Sequence, residues 1–287
     1  MTDAKAVRLA AIRAANASKR QPEGQEQSSL VSTPPQGAER VPPPRTRSAE
    51  LLDAAPPQEV PAMALSTVVL MLIAIAVGAL TAIAILPAWL PGLSGSLLGE
   101  APKAPWYLAR SSAFAAYGLL WLAMLFGLLM TNRLARVWPG GPTAFELHQY
   151  TSLLGLGMTL FHALILLGDR YIAYTPVQLL VPFASVNYQP FWVGLGQLAF
   201  YLLVLVSLSF YAKGWLGRRA WRAIHGLSFT LFVLALLHGI FGGSDTASSW
   251  TQLLYWVSGG SVLFLVCFRI VVSQLQPTPS KAPRSAH

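Results

Sequence analysis

Four histidines lie inside long apolar segments and form two matched pairs, His148 and His162 with thirteen residues between them and His225 and His238 with twelve. An ionisable side chain in hydrocarbon is costly, and it is retained where it faces a bundle interior and has a partner there. At a rise of ~1.5 Å per residue, the first pair spans about 21 Å of helix and the second about 19 Å, both within a hydrocarbon core of ~30 Å. If the two segments run in the same direction, His148 comes level with His225 and His162 with His238. Each of two depths then presents two imidazoles to each other. Two neutral imidazoles on one iron leave a haem six-coordinate, without an open position for oxygen or substrate, and such a centre passes single electrons. The expected role of the four is to ligate the irons of two haems at different depths. Structural zinc is the weaker reading, because it takes four ligands at one point. Buried histidines that merely hydrogen-bond across helices would explain neither their number nor the matched depths. His287, in a polar stretch, is not a candidate.

The elements that must position these side chains are membrane helices. The chain of 287 residues is 54% hydrophobic and 11% charged, with a mean hydropathy of +0.51, values outside those of ordinary soluble domains. Six apolar runs, at about 62–88, 108–130, 146–168, 191–212, 221–241 and 250–272, are each long enough to cross as a helix. The expected fold is an all-α membrane protein, a six-transmembrane-helix bundle spanning 62–273, between a disordered tail at 1–61 and a short tail at 274–287. The first tail is rich in Pro, Gln and Ser, with too little apolar content for a core. The lone Cys267 allows neither an internal disulfide nor a CxxC motif. The net charge of +9 does not imply nucleic acid, because the first 61 residues are nearly balanced and the excess sits in the membrane region. There it follows loop topology. Nine basic residues (Arg133, Arg136, Lys213, Arg218, Arg219, Arg222, Arg269, Lys281, Arg284) fall on one side, against Lys103, Arg110 and Arg170 on the other. That bias puts both termini in the cytoplasm. The third and fifth runs then point the same way, as the histidine pairing requires.

One feature of the spacing fits less simply. At ~100° per residue, fourteen steps return to within about 40° of the starting face, whereas thirteen end about 140° away. A π-bulge, a kink near Gly226, or groups on different sides of the fifth helix would each reconcile the second pair.

These residues carry a family resemblance. The double histidine pair on the third and fifth of six helices, with Phe145-Glu146-Leu147-His148, Trp221-Arg222-Ala223-Ile224-His225 and Leu236-Leu237-His238-Gly239, resembles the ferric reductase-like transmembrane domain. That domain is shared by NADPH oxidases, eukaryotic ferric reductases and bacterial haem-binding subunits of the MsrQ/YedZ type. The resemblance covers about residues 108–272 and implies two haem b groups, bis-His ligated by His148, His162, His225 and His238, in an oxidoreductase component of a bacterial inner or plasma membrane. Fifteen residues follow the sixth run, so a flavin and nicotinamide domain is not expected in this chain. Gly194-Leu195-Gly196 lies inside an apolar run and reads as close packing rather than a dinucleotide loop. Flavin is therefore expected only through a partner. The expected partners are membrane lipid, a separate electron donor (a flavoprotein or a quinol) and an acceptor that the sequence leaves open.

Further residues have two readings each. Arg110 opens the second helix, where its guanidinium would pair with a propionate of the outer haem or snorkel to the interface. Arg218, Arg219 and Arg222 lie below His225 and would hold inner propionates, dock an acidic donor or set orientation. Trp121, Phe126, Phe161 and Phe232 read as core rather than as a layer between haems. The stretch from Asp169 to Pro190, with Tyr171, Tyr174 and Tyr188, is an interfacial loop or a cover over the outer site. Two alternative functions stand beside the electron wire: a quinol-linked haem anchor feeding a periplasmic reductase, and a non-redox transporter or scaffold whose histidines relay protons or bind substrate.

Overall fold

The computed structural model describes residues 61–85 and 104–275, which belong to one compact unit, Glu59–His287. The expectations for the tails at 1–61 and 274–287 fall almost wholly outside the described residues. Six helical segments are long and apolar enough to cross a membrane, and no strand occurs among the described residues. The protein is an integral membrane helix bundle. In chain order the elements are α1 (Leu65–Ala84), α2 (Ala104–Thr131), α3 (Gly141–Ile165), the short α4 (Pro176–Leu180), α5 (Pro190–Ser209), α6 (Lys213–Gly226), α7 (Ser228–Gly242) and α8 (Ser249–Leu275).

Local chemistry sets the boundaries. Pro142 and Pro190 sit in the first turns of α3 and α5, where proline gives up no internal hydrogen bond and its fixed φ suits the helix. α3 therefore begins at Gly141, five residues before the apolar run at 146, and His148 falls in its second turn. The fifth span also differs from the expected 221–241. A turn of helix from Lys213 breaks at Gly217 (φ 75°, ψ 157°), and the span then runs from Arg218 through α7, with helical φ/ψ kept at Leu227 (−64°, −11°), whose amide bonds back to the Ile224 carbonyl at 3.0 Å. The non-helical Gly217 lies outside the thirteen steps from His225 to His238.

α2 is the central element. Ala109, Ala116 and Ala123, seven residues apart, are all buried and give α2 a seam of small side chains. α3 approaches closely along it: a Cβ at Gly155 would lie 3.4 Å from Leu119 Cβ. Small residues permit such close packing where lipid supplies no hydrophobic drive for association. Along its other face α2 meets α8. Tyr117 Oη pairs with Ser258 Oγ (2.6 Å), Trp121 Nε1 donates to Ser261 Oγ (2.9 Å), Asn132 Nδ2 donates to the Leu265 carbonyl (3.1 Å) and Arg269 donates to the Thr131 carbonyl (2.9 Å). These partners rise together in sequence, so α2 and α8 run parallel. At about 0.6 kcal/mol per interhelical bond, they fix register more than they supply stability. Packing does the rest, in one cluster of Met124, Leu128, Phe232, Val262 and Leu265 and another of Leu156, Leu203, Val206 and Leu231.

Candidate functional site: two levels of paired histidines

The four histidines come together as two pairs. His148 and His225 face each other with ring centroids 5.9 Å apart and planes at 74°. His162 and His238 both line a cavity of about 270 Å³. The pairing expected from sequence is thus the spatial one, and α3 and the α6–α7 span run in the same direction. Between the levels lies the cluster of Leu156, Leu203, Val206 and Leu231, packed against Leu120 and Phe200. Trp121 and Phe232 are turned into the other core, Phe232 against Tyr117 and Trp121 onto Ser261, so they do not form a layer between the levels.

Three of the rings are tied in one manner. His148 Nδ1 is 2.8 Å from the Ala123 carbonyl, His162 Nδ1 is 2.8 Å from the Ala109 carbonyl and His238 Nδ1 is 2.9 Å from the Trp192 carbonyl. A carbonyl oxygen only accepts, so the ring nitrogen must carry the proton. In a neutral imidazole that leaves Nε2 with its lone pair. This second contact is the one that metal-binding histidines make to fix tautomer and ring direction. The geometry also explains the spacing on α3. Ala109 and Ala123 are fourteen residues apart, as are His148 and His162, and the antiparallel register of α2 on α3 brings one carbonyl opposite each ring.

Glycines seat the rings. A Cβ at Gly196 would lie 2.7–2.8 Å from the His238 ring, and one at Gly242 would lie 3.4 Å from His238 Nδ1. On α2, a Cβ at Gly127 would meet His148 at 3.4 Å. Gly194 is tighter still, against the Phe183 ring, so Gly194-Leu195-Gly196 is a close-packing element as read from sequence.

Arg110 lies in the wall of the same cavity as His162 and His238, but its partner there is Asp245. Its Nε donates to Oδ2 at 2.6 Å and its terminal nitrogen to Oδ1. The sequence reading missed Asp245. One signal was available: it is one of only four acidic residues beyond the first tail, and a guanidinium at membrane depth needs a counter-charge. The pair is 35% and 21% exposed, which places it between surface pairs worth ~0–1 kcal/mol and fully buried ones whose breaking costs ~3–5 kcal/mol. Arg110→Ala and Asp245→Ala are each expected to lower the thermal midpoint of the purified protein. A double-variant cycle should give a coupling of about 1–2 kcal/mol, and strictly additive losses would show that the pair does not couple.

The segment after α3 covers this cavity. Tyr174, Gln178 and Tyr188 line it. Gln197 of α5 holds the cover by donating to the Gln178 and Leu179 carbonyls, both at 2.7 Å, and Tyr188 donates to the Gly242 carbonyl at 3.0 Å. Burial pushes the hydroxyls of Tyr174 and Tyr188 above their ordinary value, and the Asp245 carboxylate adds to the effect on Tyr188. Both stay protonated donors at neutral pH. Tyr171 points away, 92% exposed. No group of three or more His, Cys, Asp and Glu suited to an all-protein metal site occurs among the described residues.

The fold and site define a membrane helix bundle with two levels of paired imidazoles. The model of a family described as a domain of unknown function, DUF8596, matches residues 104–245. That stretch contains the four histidines, Arg110 and Asp245, and leaves out α1 and α8. No curated protein and no solved structure matches the chain.

Proposed function

We propose that the protein is a bis-haem b transmembrane electron-transfer protein of the ferric reductase-like kind, an oxidoreductase component. The observation that carries this reading is the set of Nδ1–H bonds to the Ala123, Ala109 and Trp192 carbonyls, which leave Nε2 unprotonated in rings paired at two levels. The spacing supports it. The His148 and His225 rings, with centroids 5.9 Å apart, would be near enough for both to hold one group. The donor set suits haem iron, which needs two protein ligands per metal, better than zinc, which needs four at one point.

His148 with His225 would hold one haem, and His162 with His238 the other. Bound there, the groups supply reversible one-electron chemistry. The chain's own residues orient the imidazoles, keep the layer between levels apolar and place Arg110 with Tyr174 and Tyr188 around the second level. The excess of basic residues at the His148 end supports a cytoplasmic first level and an outward second level. The donor is then a separate flavoprotein or a quinol, and the acceptor lies on the far side.

A reduced-minus-oxidised spectrum of the purified protein, with haem quantified per chain, tests the reading. Two low-spin b-type haems per chain are expected, and a folded, haem-free protein would favour the transporter or scaffold reading instead. Reduction by quinol in isolated membranes, without added flavoprotein, identifies the quinol-linked form.

A further inference from the structure

His225 is the exception among the four rings. The other three tie Nδ1 to a backbone carbonyl, whereas no carbonyl among the described residues takes up His225. Its ring is instead stacked on Trp221, with centroids 5.2 Å apart and planes at 24°. Residues four apart on a helix are neighbours, so α6 supplies both the ring and its clamp. Trp221 is braced in turn by Phe210, at 6.4 Å, and by Lys213, whose Nζ lies 4.6 Å from the indole centroid. Yet the Trp221 Nε1–H is buried and has no acceptor among the described residues. Trp121 shows the usual arrangement, with its indole N–H donated to Ser261, as a buried tryptophan normally requires.

We propose that Trp221 is the positioning residue of the His148/His225 level: its indole face holds the His225 ring, and its Nε1–H donates to a carboxylate of the group bound there. The proposal rests on the two-level reading above. A cation against the indole face favours an anionic acceptor at the N–H, and haem b carries two carboxylates. The position would otherwise leave a donor without a partner beside a ring whose own second contact is absent. One residue accounts for both.

The test uses full-length protein in detergent, in a His162→Ala background so that the signals come from one level. Trp221→Phe keeps a ring against His225 and removes the N–H, while Trp221→Leu removes both. Haem per chain, the low-spin EPR signal and the midpoint potential are read. In Trp221→Phe the haem is expected to stay and its midpoint to fall, because a carboxylate without its hydrogen bond is less neutralised and favours ferric iron. In Trp221→Leu at least half of the haem should be lost. Trp121→Phe, whose indole N–H is already taken by Ser261, should leave the midpoint unmoved. An unchanged midpoint in Trp221→Phe, or an equal fall in Trp121→Phe, overturns the proposal while leaving two haems in the wild type untouched. A wild-type chain purified without haem defeats the two-level reading and this proposal with it.

Discussion

Replacing His162 or His238 with alanine should reduce haem from two per chain to one and leave the low-spin signal of the other level in place. On the proposed reading each level's group is held by two imidazoles, so losing one member leaves a single imidazole to hold it. The levels should behave independently. His148 and His162 are fourteen residues apart on α3, and Leu156, Leu203, Val206 and Leu231 fill the space between levels. Sites separated by more than ~7–10 Å without shared partners usually respond additively. His148→Ala and His225→Ala should produce the complementary loss. The measurement is haem per chain with the reduced-minus-oxidised spectrum of each variant, and helical content by circular dichroism guards against simple misfolding. Two haems retained in both His162→Ala and His238→Ala would remove these residues from the ligand set.

The bundle and the pairing were legible because both depend on coarse quantities. Six uninterrupted apolar runs specify six spans whatever their detailed packing, and matched spacing on two parallel helices specifies two depths. What escaped was set by contacts across helices. The start of α3 at Gly141 depends on Pro142, outside the apolar run, and the break before the fifth span depends on the positive φ (75°) of Gly217. Carbonyl partners such as Ala109, Ala123 and Trp192 are invisible to residue-type reasoning, since any residue carries a carbonyl and only the helix register selects one. Asp245 lies 135 residues from Arg110, so its role required the fold. Trp221 was read within a motif, but its stacked face and unpartnered N–H are properties of three dimensions.

Gly196→Ala separates the functional demand at one position from the folding demand. In an ordinary helix interior, alanine is more favourable than glycine by ~1 kcal/mol, so the bland expectation is a small gain in stability. Gly78→Ala on α1, where a Cβ meets nothing within 4 Å, should show that gain. At Gly196 the new Cβ would lie 2.7 Å from His238 Nδ1 and 2.8 Å from Cε1 and Cγ, closer than carbon and a ring atom can rest. The ring cannot simply swing aside, because a bond of 2.9 Å to the Trp192 carbonyl holds it and Gly242 borders it on another side. Relieving the overlap therefore breaks that bond or shifts α5, at the ~1–3 kcal/mol typical of overpacking. Against the gain in propensity, the net change in stability is small, and the thermal midpoint should move little. Function is less tolerant, since a ligand site must be held within about 0.5 Å of its working geometry. The expected variant is a folded protein with helical content near wild type that keeps the first-level haem and loses most of the second. Gly127→Ala, whose Cβ would meet His148 at 3.4 Å, should keep both. If Gly196→Ala retained two haems per chain with unaltered spectra, the His238 ring would have to bind from another position, and the seat described for it on α5 would be wrong.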